Sequence, residues 1–338
     1  MSMVARIPLA LAFLSLALAQ SDNKQPSKPI KVQVNEVIVP VTVTDYKGRY
    51  VSNLEAKDFK IFDDDKEQHI EFFSHDRNQP LVVGFLMDLS NDSRVHWKNY
   101  QDAAIDLVLN ILTGDKKFSG YLISYNNEPE LQVNTTTEAD KMVEKLRKMK
   151  PGGGSSLYDA IYMACMHRQV VEGEPYDPRR VLIVIGDGHD NSSKKSLDEV
   201  VEIAQRSLVT IYAMSTVSFG FTNEGDDNMQ RLTSETGGYV EYPLNNPYTD
   251  VDGYLSHPSD DGNYALTVGS GGYASQVSAG IFRSIAAIIG EVTTQYVLRY
   301  VPDTGAADAK QFRKIRIAVP ELPTAKVRFR TGYYPFAP

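Results

Sequence analysis

Two stretches of the sequence leave the chain few folds to choose from. Leu81-Val82-Val83-Gly84-Phe85-Leu86-Met87 and Val181-Leu182-Ile183-Val184-Ile185 are uninterrupted apolar runs of strand length. A strand with one wet face alternates polar and apolar residues. A run without alternation fits a strand buried on both faces, as inside a parallel sheet. Tyr121–Ser124 and Leu208–Ala213 add two further strands. Between the strands, apolar residues recur at helical spacing: Ala104, Leu107, Val108 and Ile111; Met142, Val143 and Leu146; Leu157, Ile161 and Ala164. Ser196-Leu197-Asp198-Glu199 has the form of a capping box opening another helix, and Ile281–Val292 supplies the last one. Strands alternating with helices predict an α/β domain over residues 80–292, doubly wound around a mostly parallel sheet.

The two ends of the chain read differently. Over residues 31–79, short β-branched and aromatic runs such as Val37–Thr44, Asp58–Phe62 and Ile70–Phe73 are separated by the turns Asp45–Arg49 and Asp63–Lys66. Over residues 293–338, Gln295–Tyr300, Lys314–Val319 and Lys326–Arg330 are again strand-like. The expectation is that the two terminal segments pair into one β-sandwich with the α/β domain inserted between them. Phe72, Phe73, Tyr296 and Tyr300 are expected in its core. Residues 244–273, rich in Asn, Asp, Pro, Gly, Ser and Tyr, show no helical pattern. They read as a long insertion loop, functional or disordered. Tyr248, Tyr254, Tyr264 and Tyr273 in it offer a recognition surface or simply an ordinary loop.

Residues 1–19 carry Arg6, an apolar run from Ile7 to Leu14 and the small-x-small ending Ala17-Leu18-Ala19. This is the form of a secretory signal peptide, too short for a membrane span. Residues 20–30 read as a disordered leader. The expectation is an exported chain, periplasmic or extracellular, with no membrane span. Lys plus Arg number 35 against 43 Asp plus Glu, a formal charge of −8. That balance argues against nucleic acid, which needs a basic stripe. The single cysteine, Cys165, excludes an internal disulfide and Cys-based zinc or iron–sulfur sites. The six histidines have no HExxH or finger spacing, so a metal site in this chain would be built from oxygen ligands.

Three segments could build one. Asp88-Leu89-Ser90-Asn91-Asp92-Ser93 follows the first apolar strand directly. Gly152-Gly153-Gly154-Ser155-Ser156-Leu157-Tyr158-Asp159 opens a helix, and Gly186-Asp187-Gly188-His189-Asp190-Asn191 follows the second apolar strand. Open α/β sheets bind ligands beyond the carboxyl ends of their strands, where strand order reverses. Placed there, Asp88 and Asp187 come near one another, repel and raise each other's pKa, and a divalent cation relieves the repulsion. Carboxylates, hydroxyls and waters suit magnesium, with manganese as a substitute. The glycine run is no phosphate-binding P-loop, because no Lys-Ser/Thr follows it.

This layout resembles the von Willebrand factor type A domain with its metal-ion-dependent adhesion site. That family has Asp-x-Ser-x-Ser after the first strand, a Thr in a second loop and an Asp after the fourth strand. Asp88 and Ser90 match the first two positions, and Asp92 stands where the family has Ser. Ser155 stands at the Thr position, and Asp187 at the last Asp with Gly186 before it in place of a small polar residue. Val39–Gly48, Leu54–Phe59 and Gln68–Phe73, with Gln295–Tyr300, Phe312–Ile315 and Arg330–Tyr334, look like the flanks of the acidobacterial, VWFA-related members. The resemblance implies a metal site formed by Asp88, Ser90, Asp92, Ser155 and Asp187. Mg2+ is the expected ion, and Ca2+ also becomes eligible through the extra charge of Asp92. It implies no catalysis but a protein partner whose acidic group completes the coordination shell. Two alternatives stay open: a structural scaffold with a degenerate metal site, and a metal-dependent hydrolase with His189 as acid or base.

Overall fold

In a computed structural model of the chain, the described residues are 36–75, 80–94, 97–167, 178–216, 224–243, 271–302 and 311–335, with backbone only over 271–277. The expected signal peptide and leader lie outside them, as do residues 244–270 and Tyr248, Tyr254 and Tyr264.

The amino-terminal segment forms β1 (Val37–Thr44), β2 (Lys60–Asp63), β3 (Lys66–Gln68) and β4 (Phe72–Ser74). The middle begins with β5 (Leu81–Asp88), α1 (Trp97–Ile111), β6 (Phe118–Tyr125), β7 (Pro129–Thr136), α2 (Ala139–Lys148) and α3 (Leu157–Met166). It continues through β8 (Arg179–Gly186), α4 (Leu197–Arg206), β9 (Val209–Ser215), α5 (Glu224–Thr236), β10 (Val240–Glu241) and α6 (Gly271–Thr294). The carboxyl-terminal segment forms β11 (Tyr296–Tyr300), β12 (Arg313–Ala318), β13 (Lys326–Arg328) and β14 (Gly332–Tyr333).

The central sheet has the order β10-β9-β8-β5-β6-β7, parallel except for the antiparallel edge strand β7. The apolar runs of β5 and β8 lie side by side at its centre, buried on both faces. On one face Leu81, Val83, Phe85 and Met87 pack with α1, α2 and α6 through Leu107, Leu146 and Ile288. On the other, Val82, Leu86, Leu182 and Val184 pack with α3, α4 and α5 through Ile161, Val200 and Leu232. Capping of α4 is reciprocal between Ser196 and Glu199, and Cys165 is buried.

Strands from both chain ends form two further antiparallel sheets, β13-β1-β11-β4 and β14-β12-β2-β3. They share one apolar core, in which Val37, Val39, Val41 and Val43 meet Ile61, Ile315 and Ile317. Tyr296 and Tyr300 are buried there and Phe73 packs against them, but Phe72 is 46% exposed. Adjacent residues of a strand face opposite sides, so Phe72 points outward and lies under the Arg299 guanidinium. The last helix also starts earlier than its apolar periodicity suggests. It reaches back to Gly271, so the end of the expected 244–273 loop is helical. Two glycines in its first turn, with low helix propensity, hide that start. Among the described residues no helix is long and apolar enough to cross a membrane.

Candidate metal site

β5 leads to β6 on one side of the sheet, while β8 joins β5 on the other. The switch in strand order therefore lies between β5 and β8, and their carboxyl ends carry Asp88 and Asp187. Asp88 ends β5 in register with Tyr125, the last residue of β6.

Asp88 is buried, and its Oδ1 accepts the Ser90 amide at 2.7 Å. Its Oδ2 has no hydrogen-bond partner. Burial pushes the Asp88 carboxyl up to about 7, and the nearby Asp187 carboxylate adds to that against the Ser90 amide. Asp187 is also buried. It accepts from its own loop, the His189 amide on Oδ1 and the His189 ring Nδ1 on Oδ2, each at 3.0 Å. Ser155 is buried at the start of α3 and donates its hydroxyl to the His189 carbonyl at 2.7 Å, which leaves the oxygen's lone pairs as acceptors. The Ser90 hydroxyl is buried and unpartnered. Four of the five expected ligands, Asp88, Ser90, Ser155 and Asp187, are thus buried at the strand ends or on the loops tied to them. The fifth, Asp92, is exposed at the start of a short 3-10 turn, Asp92–Arg94. The buried residue of that turn is Ser93, whose hydroxyl is spent on the Ser90 carbonyl at 2.8 Å.

The loops lock one another. Asn91 N–H donates to the Gly153 carbonyl, Gly152 N–H to Leu89, and both Asn191 and Ser192 amides to the Ser155 carbonyl. The Asn191 side chain accepts the Ser155 amide and the Asn127 side chain accepts that of Gly154. Asp190, without an assigned role in the sequence, caps α3: its Oδ2 accepts the Tyr158 amide at 2.8 Å and the Ser193 hydroxyl at 2.6 Å. Asp159, from α3, in turn accepts the Lys194 and Lys195 amides. Gly188 has φ +82°, and a Cβ there would stand 2.0 Å from the Gly225 carbonyl, so the first turn of α5 seats directly on the Asp187 loop.

Buried polar atoms without partners are rare and each asks for an explanation. Among the side chains of the described residues they are four oxygens and four nitrogens. The nitrogens belong to Arg179, Arg299 and Arg330. All four oxygens lie at this end of the sheet: Asp88 Oδ2, Ser90 Oγ, Tyr125 Oη and Ser156 Oγ. Tyr125 and Ser156 carried no signal in the sequence. The register of β6 on β5 brings the first beside Asp88, and the second adjoins Ser155. Among the described residues no three His, Cys, Asp or Glu side chains converge. The donor set on offer is two carboxylates and two hydroxyls, hard oxygen chemistry that fits a small divalent cation. The orphaned Asp88 and Ser90 oxygens fit the same conclusion.

The family model of the von Willebrand factor type A domain matches residues 83–248. Among solved structures, proximal thread matrix protein 1 from the mussel byssus is similar at 11% identity and TM-score 0.44, over 67% of this chain and 49% of its own. A second structure of that mussel protein, described as having a zinc-occupied MIDAS motif, is 16% identical with TM-score 0.39, over 50% of this chain and 43% of its own. The chain thus spans about half the length of the mussel protein it matches. BatB from Bacteroides thetaiotaomicron is 15% identical with TM-score 0.38, over 61% of this chain and 99% of its own. No curated protein matches significantly. The strand order, the helices on both faces and the family match together make this chain a von Willebrand factor type A domain protein, with that domain over residues 83–248.

Proposed function

We propose that the chain is an exported binding module. It holds a divalent cation, Mg2+ in the first place with Mn2+ or Ca2+ as alternatives, through Asp88, Ser90, Ser155 and Asp187. An acidic group of a protein partner completes the coordination shell, and the β-sandwich presents the domain. The observation that carries this reading is the confinement of every buried unpartnered side-chain oxygen among the described residues to the strand ends around Asp88. A cation there satisfies Asp88 Oδ2 and Ser90 Oγ and offsets the repulsion between Asp88 and Asp187. The hydroxyls and carboxylates that remain are too few to fill an octahedral shell, so open positions are left for water or a partner's carboxylate. His189 serves Asp187 with both its amide and its ring, which suits orienting a ligand rather than acid–base turnover.

A second reading, a structural scaffold whose metal site has decayed, is favoured by one observation. Asp92, at the third motif position, is exposed and does not join the other four. Calorimetric titration of Mg2+, Mn2+ and Ca2+ into the chain separates the two, with Asp187→Ala beside it. The expected outcome is saturable binding by the native chain and at least tenfold weaker binding by the variant. Trp97, at the start of α1 and close in sequence to Asp92, gives an independent fluorescence signal. No binding of any of the three ions leaves the scaffold as the function. If binding is seen, a partner search with and without EDTA follows.

A further inference from the structure

Among the described residues, Tyr125 is the one large side chain at the site that is fully buried and whose polar atom makes no hydrogen bond. It is 1% exposed and its hydroxyl has no hydrogen-bond partner. An apolar position of this kind is normally filled by Phe, since a buried hydroxyl without a partner costs stability. Its surroundings give the hydroxyl a purpose. A Cβ built on Gly186 would stand 2.5 Å from Tyr125 Oη, 2.9 Å from Asp88 Cβ and 3.1 Å from Asp88 Oδ2. The phenol oxygen and the unpartnered carboxylate oxygen thus flank the same side of Gly186, a donor beside an acceptor, and both are otherwise unused. Only a residue without a Cβ at position 186 leaves room for both groups.

Resting on the metal-binding reading above, we infer that Tyr125 is a positioning residue of the cation site: its O–H is held in reserve for the lone pair of Asp88 Oδ2 that the cation leaves free. Asp88 Oδ1 already has the Ser90 amide. A carboxylate that bonds a cation needs its remaining lone pairs oriented by donors, and such outer partners set metal affinity by about 10–100-fold. Tyr125 is the hydroxyl placed to supply that donor from beneath the site, out of reach of solvent. It orders Asp88 for the cation without itself ligating.

The variant Tyr125→Phe tests this, in the full chain, with Mn2+ alone as the probe. Two quantities are read: the Mn2+ dissociation constant by calorimetry, and the melting temperature in EDTA. A hydroxyl kept for the cation predicts opposite responses. Mn2+ binding weakens about tenfold or more, while the metal-free melting temperature stays the same or rises, because an unsatisfied hydroxyl has been removed. Mn2+ affinity within twofold of native overturns the role of Tyr125. So does a weakened affinity accompanied by a lower metal-free melting temperature, since that marks a packing residue. If the native chain itself binds no Mn2+, the metal reading fails and this inference with it. Native binding that Tyr125→Phe leaves unchanged sinks the inference alone.

Discussion

At the scale of single residues, Asp88 carries the most readable consequence. Its carboxyl is pushed up to about 7 in the folded, metal-free chain, by burial first and Asp187 as well, against roughly 3.9 for an unfolded aspartate. A raised carboxyl means that the folded state holds a proton the unfolded state has lost. Its stabilising effect is complete below about pH 4 and disappears as pH rises through 7. Urea unfolding in EDTA is therefore expected to show lower stability at pH 8 than at pH 5, with on the order of 2–4 kcal/mol due to this residue. Asp88→Asn keeps the acceptor for Ser90 but not the titration, so most of that pH dependence goes with it. Equal slopes for native and variant would remove Asp88 as the source. The local part of the candidate site is open to a sequence reading because it is a matter of spacing: Asp88, Ser90, Ser155 and Asp187 follow strand ends or open a helix at motif distances, and all four are buried at that end of the sheet. Tyr125 was not legible, since its meaning comes from lying opposite Asp88 in the β5–β6 register, and register between parallel strands leaves no mark on either one. Asp92 shows the converse. The spacing placed it in the motif, and the 3-10 turn carries it outward while burying Ser93.

At the scale of elements, the strands that announced themselves were those buried on both faces, β5 and β8, because contiguous apolar residues have few other uses. The elements that escaped the apolar patterns are half wet. β7 is an edge strand with no fully buried residue, and α5 opens with Glu224, Asp226 and Asp227 and is anchored by Met229 and Leu232. What the site demands of the elements is that three loops hold still together, and Asp190 is the fastening between two of them. It caps α3 through the Tyr158 amide and closes the Asp190–Ser193 turn. Asp190→Ala should cost about 1–2 kcal/mol, the value of a lost helix cap in a partly buried setting. It should also weaken cation binding, because the Ser155 hydroxyl and the His189 carbonyl are positioned by the same two loops. Asp190→Asn, which keeps one acceptor, should fall between native and Ala in both thermal melts and Mn2+ titration. A loss of stability with unchanged Mn2+ affinity would show that the loops hold the ligands without this clamp.

At the scale of the whole molecule, both chain ends are tied to one another and to the α/β domain by buried polar contacts. Arg179, at the start of β8, donates to the Gln295 side chain and the Val292 carbonyl, and Gln295 donates on to Thr42 of β1. Glu291 of α6 accepts from Tyr212 of β9 and from Arg328 of β13. Arg330 is wholly buried and holds the carbonyl of Leu208, a bulky residue at φ +53°, where such side chains seldom sit. Within the sandwich the fastening is Asp63. It is completely buried and accepts from Tyr300 at 3.0 Å, Tyr333 at 2.8 Å and Arg313 at 2.7 Å, three residues from the far end of the chain. Asp63→Ala takes from Arg313 its 2.7 Å partner, with the half-exposed Asp64 carboxylate standing farther off at 3.6 Å, and takes the shared acceptor from two buried phenol hydroxyls, a change expected to cost about 3–5 kcal/mol. Sandwich and α/β domain share the buried seam of Arg179, Gln295, Glu291 and Arg330, so that loss should be felt by the molecule as one body. Denaturant unfolding followed at once by Trp97 fluorescence, which reports the α/β domain, and by far-ultraviolet circular dichroism should give a single transition at a lower midpoint for the variant. Two separated transitions, with Trp97 unmoved by the first, would mean that the sandwich melts alone and that the seam joins the two without coupling them.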